Sequence, residues 1–175
     1  LNSPREIVQT IGESSVPVAI YVWPGGASAT SAGTIITMSA HFAAMAPGTN
    51  IGAAHPVGGQ GEDIKGDMKA KAENDTVAFI RAQAQLRGRN ADWAEQAIRK
   101  SISATADEAL KARVVDMVAP DADAVLKNLE GLVPRGGLAD KSKSPRPVRL
   151  SGVARTELAM TPAERFLTFI GDDAL

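Results

Sequence analysis

The sequence predicts an α/β domain built on a mainly parallel sheet. Two observations carry that prediction. Apolar, β-branched runs of four to eight residues alternate with amphipathic or Ala-rich helical segments along the first 130 residues. The helical segments open with capping signals and close on glycine, so strand and helix periods change at defined points.

Taken in order, Ser3-Pro4-Arg5-Glu6 is a capping box with proline at the first helical position. It starts a helix with Ile7, Val8 and Ile11 on one face that stops near Gly12. Val16–Trp23 is a continuous apolar run and reads as a buried, parallel strand. Helix followed by strand implies a further strand upstream of Leu1. Pro24–Ser31 reads as a small-residue loop, Ala32–Ala40 as a short helix and Phe42–Ala46 as a second strand. Pro47-Gly48-Thr49-Asn50 is a turn before a short extended piece, Ile51–Ala54. Gly58–Gly66 is Gly-rich and charged and reads as a mobile surface loop, with a lid over a cleft as its functional counterpart. Met68–Leu86 is a long helix ended by Gly88, and Ala91–Lys100 is another. Thr105-Ala106-Asp107-Glu108 is a second capping box, for a helix through Ala112. Val114–Val118 is a strand and Asp121–Leu129 a closing helix.

The expected division is a domain over 1–131, a linker over 132–160 and an amphipathic helix over 161–175. The linker carries Pro, Gly, Lys and Arg without apolar periodicity, and Leu132-Val133-Pro134-Arg135-Gly136 within it has the form of a thrombin cleavage site. The last helix is capped by Thr161-Pro162-Ala163-Glu164 and bears the stripe Phe166, Leu167, Phe169 and Ile170. That stripe either packs on the domain or leads toward a membrane helix beyond Leu175. Both ends read as cut points.

Composition narrows the chemistry. The 175 residues carry 19 Lys and Arg against 20 Asp and Glu, for a net charge of −1, with no basic cluster of the kind nucleic acid or an anionic membrane attracts. With no cysteine there is no disulfide framework, thiol nucleophile or Cys-based zinc site. No run of 18 apolar residues is present, so the chain reads as a soluble fragment.

The chemistry-bearing stretch is Pro24-Gly25-Gly26-Ala27-Ser28-Ala29-Thr30-Ser31-Ala32-Gly33. A strand ends, small residues turn, and a helix begins at Ser31. Free N–H groups and the positive dipole end there suit a developing oxyanion, while the plain alternative is that Ser31 caps the helix. A serine nucleophile needs a base. His41, between helix and strand, has the position of a structural histidine. His55 follows Ile51-Gly52-Ala53-Ala54 at a strand end, where site residues gather. Lys71 lies in the first turns of the long helix and serves as a base only if burial makes it neutral; otherwise it is a solvated helix lysine.

Four segments, in order, resemble the NfeD family, membrane-bound serine proteases encoded beside stomatin-like proteins, within the Clp protease/crotonase-like superfamily. They are Trp23–Thr34, Ala46–Val57, Lys71–Asn90 and Thr161–Leu167, with Ala106–Leu110 and Val115-Asp116 resembling features of the wider superfamily. The resemblance implies a Ser-Lys dyad with Ser31 as nucleophile, Lys71 as general base and the Ala32 N–H as one oxyanion donor. Ser28 then becomes a loop neighbour, and Lys69 turns off the Lys71 face. The second oxyanion donor, expected from a Gly-Gly pair upstream, is not in this sequence. His55-Pro56-Val57-Gly58-Gly59 is similar to the base segment of Clp proteases, which makes His55 the alternative base. The implied function is cleavage of apolar segments of a stomatin-like membrane protein, without cofactor or metal, by an extracytoplasmic, membrane-anchored homodimer. Two rival functions remain: a non-catalytic domain that binds a stomatin-like partner, and crotonase-type acyl-CoA chemistry. The absence of a carboxylate from 24–34 and 46–57 counts against the latter.

Overall fold

The computed structural model describes residues 4–55, 66–138 and 146–158. In chain order the elements are α1 (Pro4–Gly12), β1 (Ala19–Val22), β2 (Ser28–Thr30), α2 (Ala32–Ser39), β3 (Phe42–Met45), β4 (Asn50–Gly52), α3 (Gly66–Leu86), α4 (Ala91–Arg99), β5 (Ser103–Thr105), α5 (Ala106–Lys111), β6 (Met117–Val118) and α6 (Ala122–Leu129). They form two three-stranded sheets, β1-β3-β6 and β2-β4-β5. Every pairing is parallel except β4 with β5. The expected α/β architecture with a mainly parallel sheet is therefore present.

The central strand β3 shows why its sequence is apolar throughout. Successive side chains of a strand point to opposite faces. Ala43 and Met45 join the main core, with Met38, Ile51, Ile80, Trp93 and Ile98. Phe42 and Ala44 join a second cluster with Met117, Val125 and Leu129, supplied by β6 and α6. All four residues of β3 are buried. The apolar run Val16–Trp23 behaves differently. Only Ala19–Val22 pairs, on one side, and Val16 and Trp23 are more than half exposed. The expectation of a fully buried eight-residue strand is corrected: no described strand covers its outer edge.

Two strands lie where none is expected. β2 sits inside the supposed Pro24–Ser31 loop, and β5 precedes the α5 capping box. Both are three-residue segments of Ser, Ala and Thr that flank β4. Val114–Val118 is a strand only over its last two residues, because Arg113 at φ 58 turns the chain and leaves Val114 and Val115 as buried, non-strand residues. The α5 capping box forms as predicted, Thr105 and Glu108 each satisfying the other's backbone N–H. The capping role of Ser3, the loop at 58–65 and the helix at 161–175 lie outside the described residues.

Residues 131–138 and 146–153 lie against the domain. Gly131 donates to the Val148 carbonyl (2.9 Å) and Val148 to that of Leu132 (2.8 Å). The Glu130 carboxylate accepts from the Leu150 and Ser151 N–H groups, and Val148 and Leu150 pack on the second cluster.

The end of α2 is held by buried arginines. Arg89 Nη1 donates to the carbonyls of Met38 (2.8 Å) and Ala40 (2.7 Å), and Arg87 Nε to that of Ser39 (2.8 Å). These carbonyls have no partner within the helix, and positive charge suits this end of the dipole. Arg89 Nη2 pairs with Asp116 Oδ2 at 2.5 Å, and that oxygen also accepts from the Ala43 N–H. The same helix carries Ser31 at its other end.

Candidate active site

Ser31 joins β2 to α2 at φ 50 and ψ −117, a backbone conformation rarely adopted by residues other than glycine. Such positions cost about 1–3 kcal/mol and persist only where the surroundings dictate them. Here they do. The Ser31 N–H is shared between the carbonyls of Gly52 and Ala53, both at 3.3 Å. The buried Thr34 hydroxyl lies 2.8 Å from the carbonyl oxygens of Ala29 and Gly52 and accepts the Gly52 N–H at 3.2 Å. β2, α2 and the end of β4 are thus tied together around one residue. Gly52 is required there: at φ +138 a Cβ would stand 2.3 Å from the Ile102 carbonyl oxygen.

Among the described residues the serine hydroxyl has no hydrogen-bond partner. Although Ser31 occupies the N-cap position, its side chain makes no capping hydrogen bond. The cap reading is therefore corrected: the helix starts at a backbone of φ 50 and ψ −117 without a side-chain cap. Ala32 follows as the first helical residue, where an N–H has no intrahelical acceptor. Ser31 and Ala32 open onto a cleft of about 180 Å³ whose other walls are Pro4 and Arg5 of α1, Ile35 of α2, Ala54, and Thr76 and Phe79 of α3.

Lys71 and His55 do not line this cleft. Lys71 is exposed near the start of α3. It precedes Thr76 by five residues and Phe79 by eight, which on a helix turns it about 140° from the first and about 80° from the second. Lys69 is half-buried and lines a separate hollow with Glu73, Asn74 and Arg99. His55 is half-buried, its Nδ1 3.1 Å from the Ile98 carbonyl oxygen; a carbonyl only accepts, so Nδ1 carries the proton. His41 is structural, as its position suggests. It is fully buried, Nδ1 accepts the Val18 N–H at 3.2 Å, and burial, aided by Arg87, lowers its pKa to about 4.

Sequence reasoning did not find Arg5, Thr76 and Phe79 as cleft residues. The spacing of Thr76 and Phe79 puts them on one helix face, but only the packing of α3 on α2 reveals which face meets Ser31. The Arg5 guanidinium carbon lies over the Phe79 ring, 4.5 Å from its centroid, and the group pairs with Asp75. No cluster of potential metal ligands occurs among the described residues.

The fold, with a serine at its strand–turn–helix junction, is of the Clp/crotonase-like class. ClpP1 from Listeria monocytogenes aligns over 69% of the chain with a TM-score of 0.52, at 18% identity, a likeness of fold alone. No family profile matches the chain. The membrane-bound protease PH1510 of Pyrococcus horikoshii is 46% identical over 127 residues, 72% of this chain. The chain spans 29% of that relative's length. Two solved structures of the 1510-N membrane-bound stomatin-specific protease are closely similar. A lysine-to-alanine variant bound to a substrate peptide gives a TM-score of 0.87 at 37% identity, covering 97% of this chain and 76% of that one. A serine-to-alanine variant gives 0.77 at 40% identity, covering 90% and 75%. The chain belongs to the family of this membrane-bound protease, the NfeD family that its motifs resemble.

Proposed function

We propose that the chain is the serine endopeptidase domain of a membrane-anchored protein, with Ser31 as nucleophile and Lys71 as general base. One observation carries the reading: Ser31 is held in a strained conformation at a helix start, its hydroxyl without a hydrogen-bond partner among the described residues, and lines a cleft. The serine-to-alanine and lysine-to-alanine variants among the solved relatives support the choice of residue types.

In the proposed reaction Ser31 Oγ attacks the peptide carbonyl while its proton passes to neutral Lys71 Nζ. The Ala32 N–H, at the positive end of α2, stabilises the oxyanion. Lys71 returns the proton to the leaving amine, and the acyl ester on Ser31 is then cleaved by a water that Lys71 deprotonates. Because Lys71 faces solvent in this conformation, the start of α3 must turn or unwind toward the cleft when peptide binds. Apolar peptide over the site would then exclude water from the reacting groups. His55 is the alternative base, through the Nε2 that its bond to Ile98 leaves as acceptor.

The apolar walls Pro4, Ile35, Ala54 and Phe79 suit an apolar peptide. With the relatives described as stomatin-specific, the proposed substrate is an apolar segment of a stomatin-like protein. Membrane attachment would lie outside the described residues, which hold no helix long and apolar enough to cross a membrane. Association as a homodimer and division into a domain over 1–131, a connecting stretch over 132–160 and a membrane-proximal helix over 161–175 complete the proposal. A serine-directed fluorophosphonate probe tests it: labelling of the chain and none of Ser31→Ala is expected, whereas a binding-only domain would not be labelled.

A further inference from the structure

We propose that Thr34 is a positioning residue whose buried hydroxyl fixes the backbone turn that presents Ser31 to the cleft. The inference rests on reading Ser31 as the nucleophile. Thr34 does not line the cleft, and it is fully buried. Three other helical hydroxyls of this chain bond back one turn. Thr10 donates to the Glu6 carbonyl, Ser39 to that of Ile35 and Thr76 to that of Ala72, each four residues earlier. That is the usual local bond of a helical serine or threonine. Thr34 departs from it. Its hydroxyl lies 2.8 Å from the carbonyl oxygen of Ala29, five residues back on β2, and 2.8 Å from that of Gly52 on β4. It also accepts the Gly52 N–H at 3.2 Å. The Ala29 carbonyl comes within its reach because the chain turns at Ser31, between β2 and α2.

The contacts around Ser31 close a ring through this side chain. The Thr34 N–H donates to the Ser31 carbonyl at 3.1 Å, and the Ser31 N–H reaches the Gly52 carbonyl at 3.3 Å. A carbonyl oxygen has two lone pairs, so that of Gly52 has room for both Ser31 and Thr34. Thr34 thus holds the strand that enters the turn and the strand end that receives the Ser31 N–H. Positive φ angles stand on both sides of this contact, at Ser31 (50) and Ala53 (46). Such conformations persist only where the surroundings over-determine them. Without the hydroxyl, β2 and the end of β4 lose this tie to α2, and Ser31 relaxes toward an ordinary helix start. A displacement of about 1 Å in a reacting group costs on the order of 100-fold in rate. The walls that bind peptide stay in place.

Thr34→Ser and Thr34→Ala test this, because both lose the methyl group and only the second loses the hydroxyl. Fluorophosphonate labelling of the full chain is followed across probe concentration, with the folded fraction measured by circular dichroism. Thr34→Ala is expected to label about 10- to 100-fold more slowly at saturating probe, with a half-saturating concentration within about twofold of the parent's. Thr34→Ser should recover most of the rate. A purely structural role would lower the folded fraction and leave the rate constant of the folded molecules unchanged. Should Thr34→Ala not fold, Thr34→Val, which keeps the volume, takes its place. A second readout needs no nucleophile. The Ser31 amide and α-carbon NMR shifts, which report its positive φ, should move in Thr34→Ala and stay in Thr34→Ser. Labelling of Thr34→Ala at the parent rate, equal slowing in both variants, or unmoved Ser31 shifts in Thr34→Ala overturns the proposal. A parent chain that takes no probe would refute Ser31 as the nucleophile, and the Ser31 shifts would still decide the role of Thr34.

Discussion

Replacement of Arg89 by Met removes the charge that anchors the far end of the helix bearing Ser31. The Arg89 side chain is fully buried and Asp116 is 9% exposed. The substitution roughly preserves length while deleting three hydrogen bonds, two to α2 carbonyls and one to Asp116. Breaking one side of a buried ion pair costs about 3–5 kcal/mol, because the remaining charge stays buried. Asp116 keeps the Ala43 N–H and an ion pair with Arg135 at 3.5 Å, which places the loss toward the lower end. The orphaned carbonyls of Met38 and Ala40 add to it, so about 4 kcal/mol is expected. A domain has about 5–15 kcal/mol in total, so the variant should be markedly less stable. Urea unfolding followed by circular dichroism measures it, as a lower midpoint at unchanged slope. In the Arg89→Met/Asp116→Asn double variant the loss should be smaller than the sum of the single losses. A loss below about 1 kcal/mol for Arg89→Met would refute the claim that this pair fixes α2.

Other outcomes follow from the same contacts. Gly52→Ala should destabilise by about 2–5 kcal/mol, since its Cβ would meet the Ile102–Ser103 backbone at a φ of +138, and probe labelling of Ser31 should fall with the folded fraction; a stable, fully labelled variant would contradict the packing of β4 on β5. His41 is neutral in the fold down to about pH 4, whereas the unfolded chain gains a proton at its ordinary pKa near 6.5. Its contribution is therefore intact above about pH 6.5 and is lost as pH falls toward 4, on the order of 3 kcal/mol at most. Denaturation between pH 7 and 5 should show this slope in the parent chain and a shallower one in His41→Gln; equal slopes would show that His41 is not the group responsible.

The sequence made the scaffold legible where local chemistry decides it. The α5 capping box, the end of α3 at Gly88 and the apolar β3 need no tertiary information. β2 and β5 were hidden because Ser-Ala-Thr has no strand pattern, and only pairing with β4 makes these residues extended. The run Val16–Trp23 misled in the opposite direction, because apolarity does not reveal that a strand has a neighbour on one side only. The site divides in the same way. A serine at a strand-to-helix turn is visible in the sequence, but its left-handed backbone follows from the Gly52 and Ala53 carbonyls. The α3 segment carrying Lys71 was recognisable from resemblance, but the direction of Lys71 depends on helix phase. Arg5 reaches the cleft through the docking of α1 on α2, and Phe79 through that of α3 on α2, which no local pattern announces.

The central claim is the dyad. It is tested most directly by pH-dependent cleavage of an apolar peptide by the chain and by its Ser31→Ala, Lys71→Ala and His55→Ala variants, each checked for folding. The expected result is no turnover without Ser31 or Lys71 and retained turnover without His55. Normal cleavage by Lys71→Ala, with loss in His55→Ala, would contradict the dyad and assign the base to the histidine.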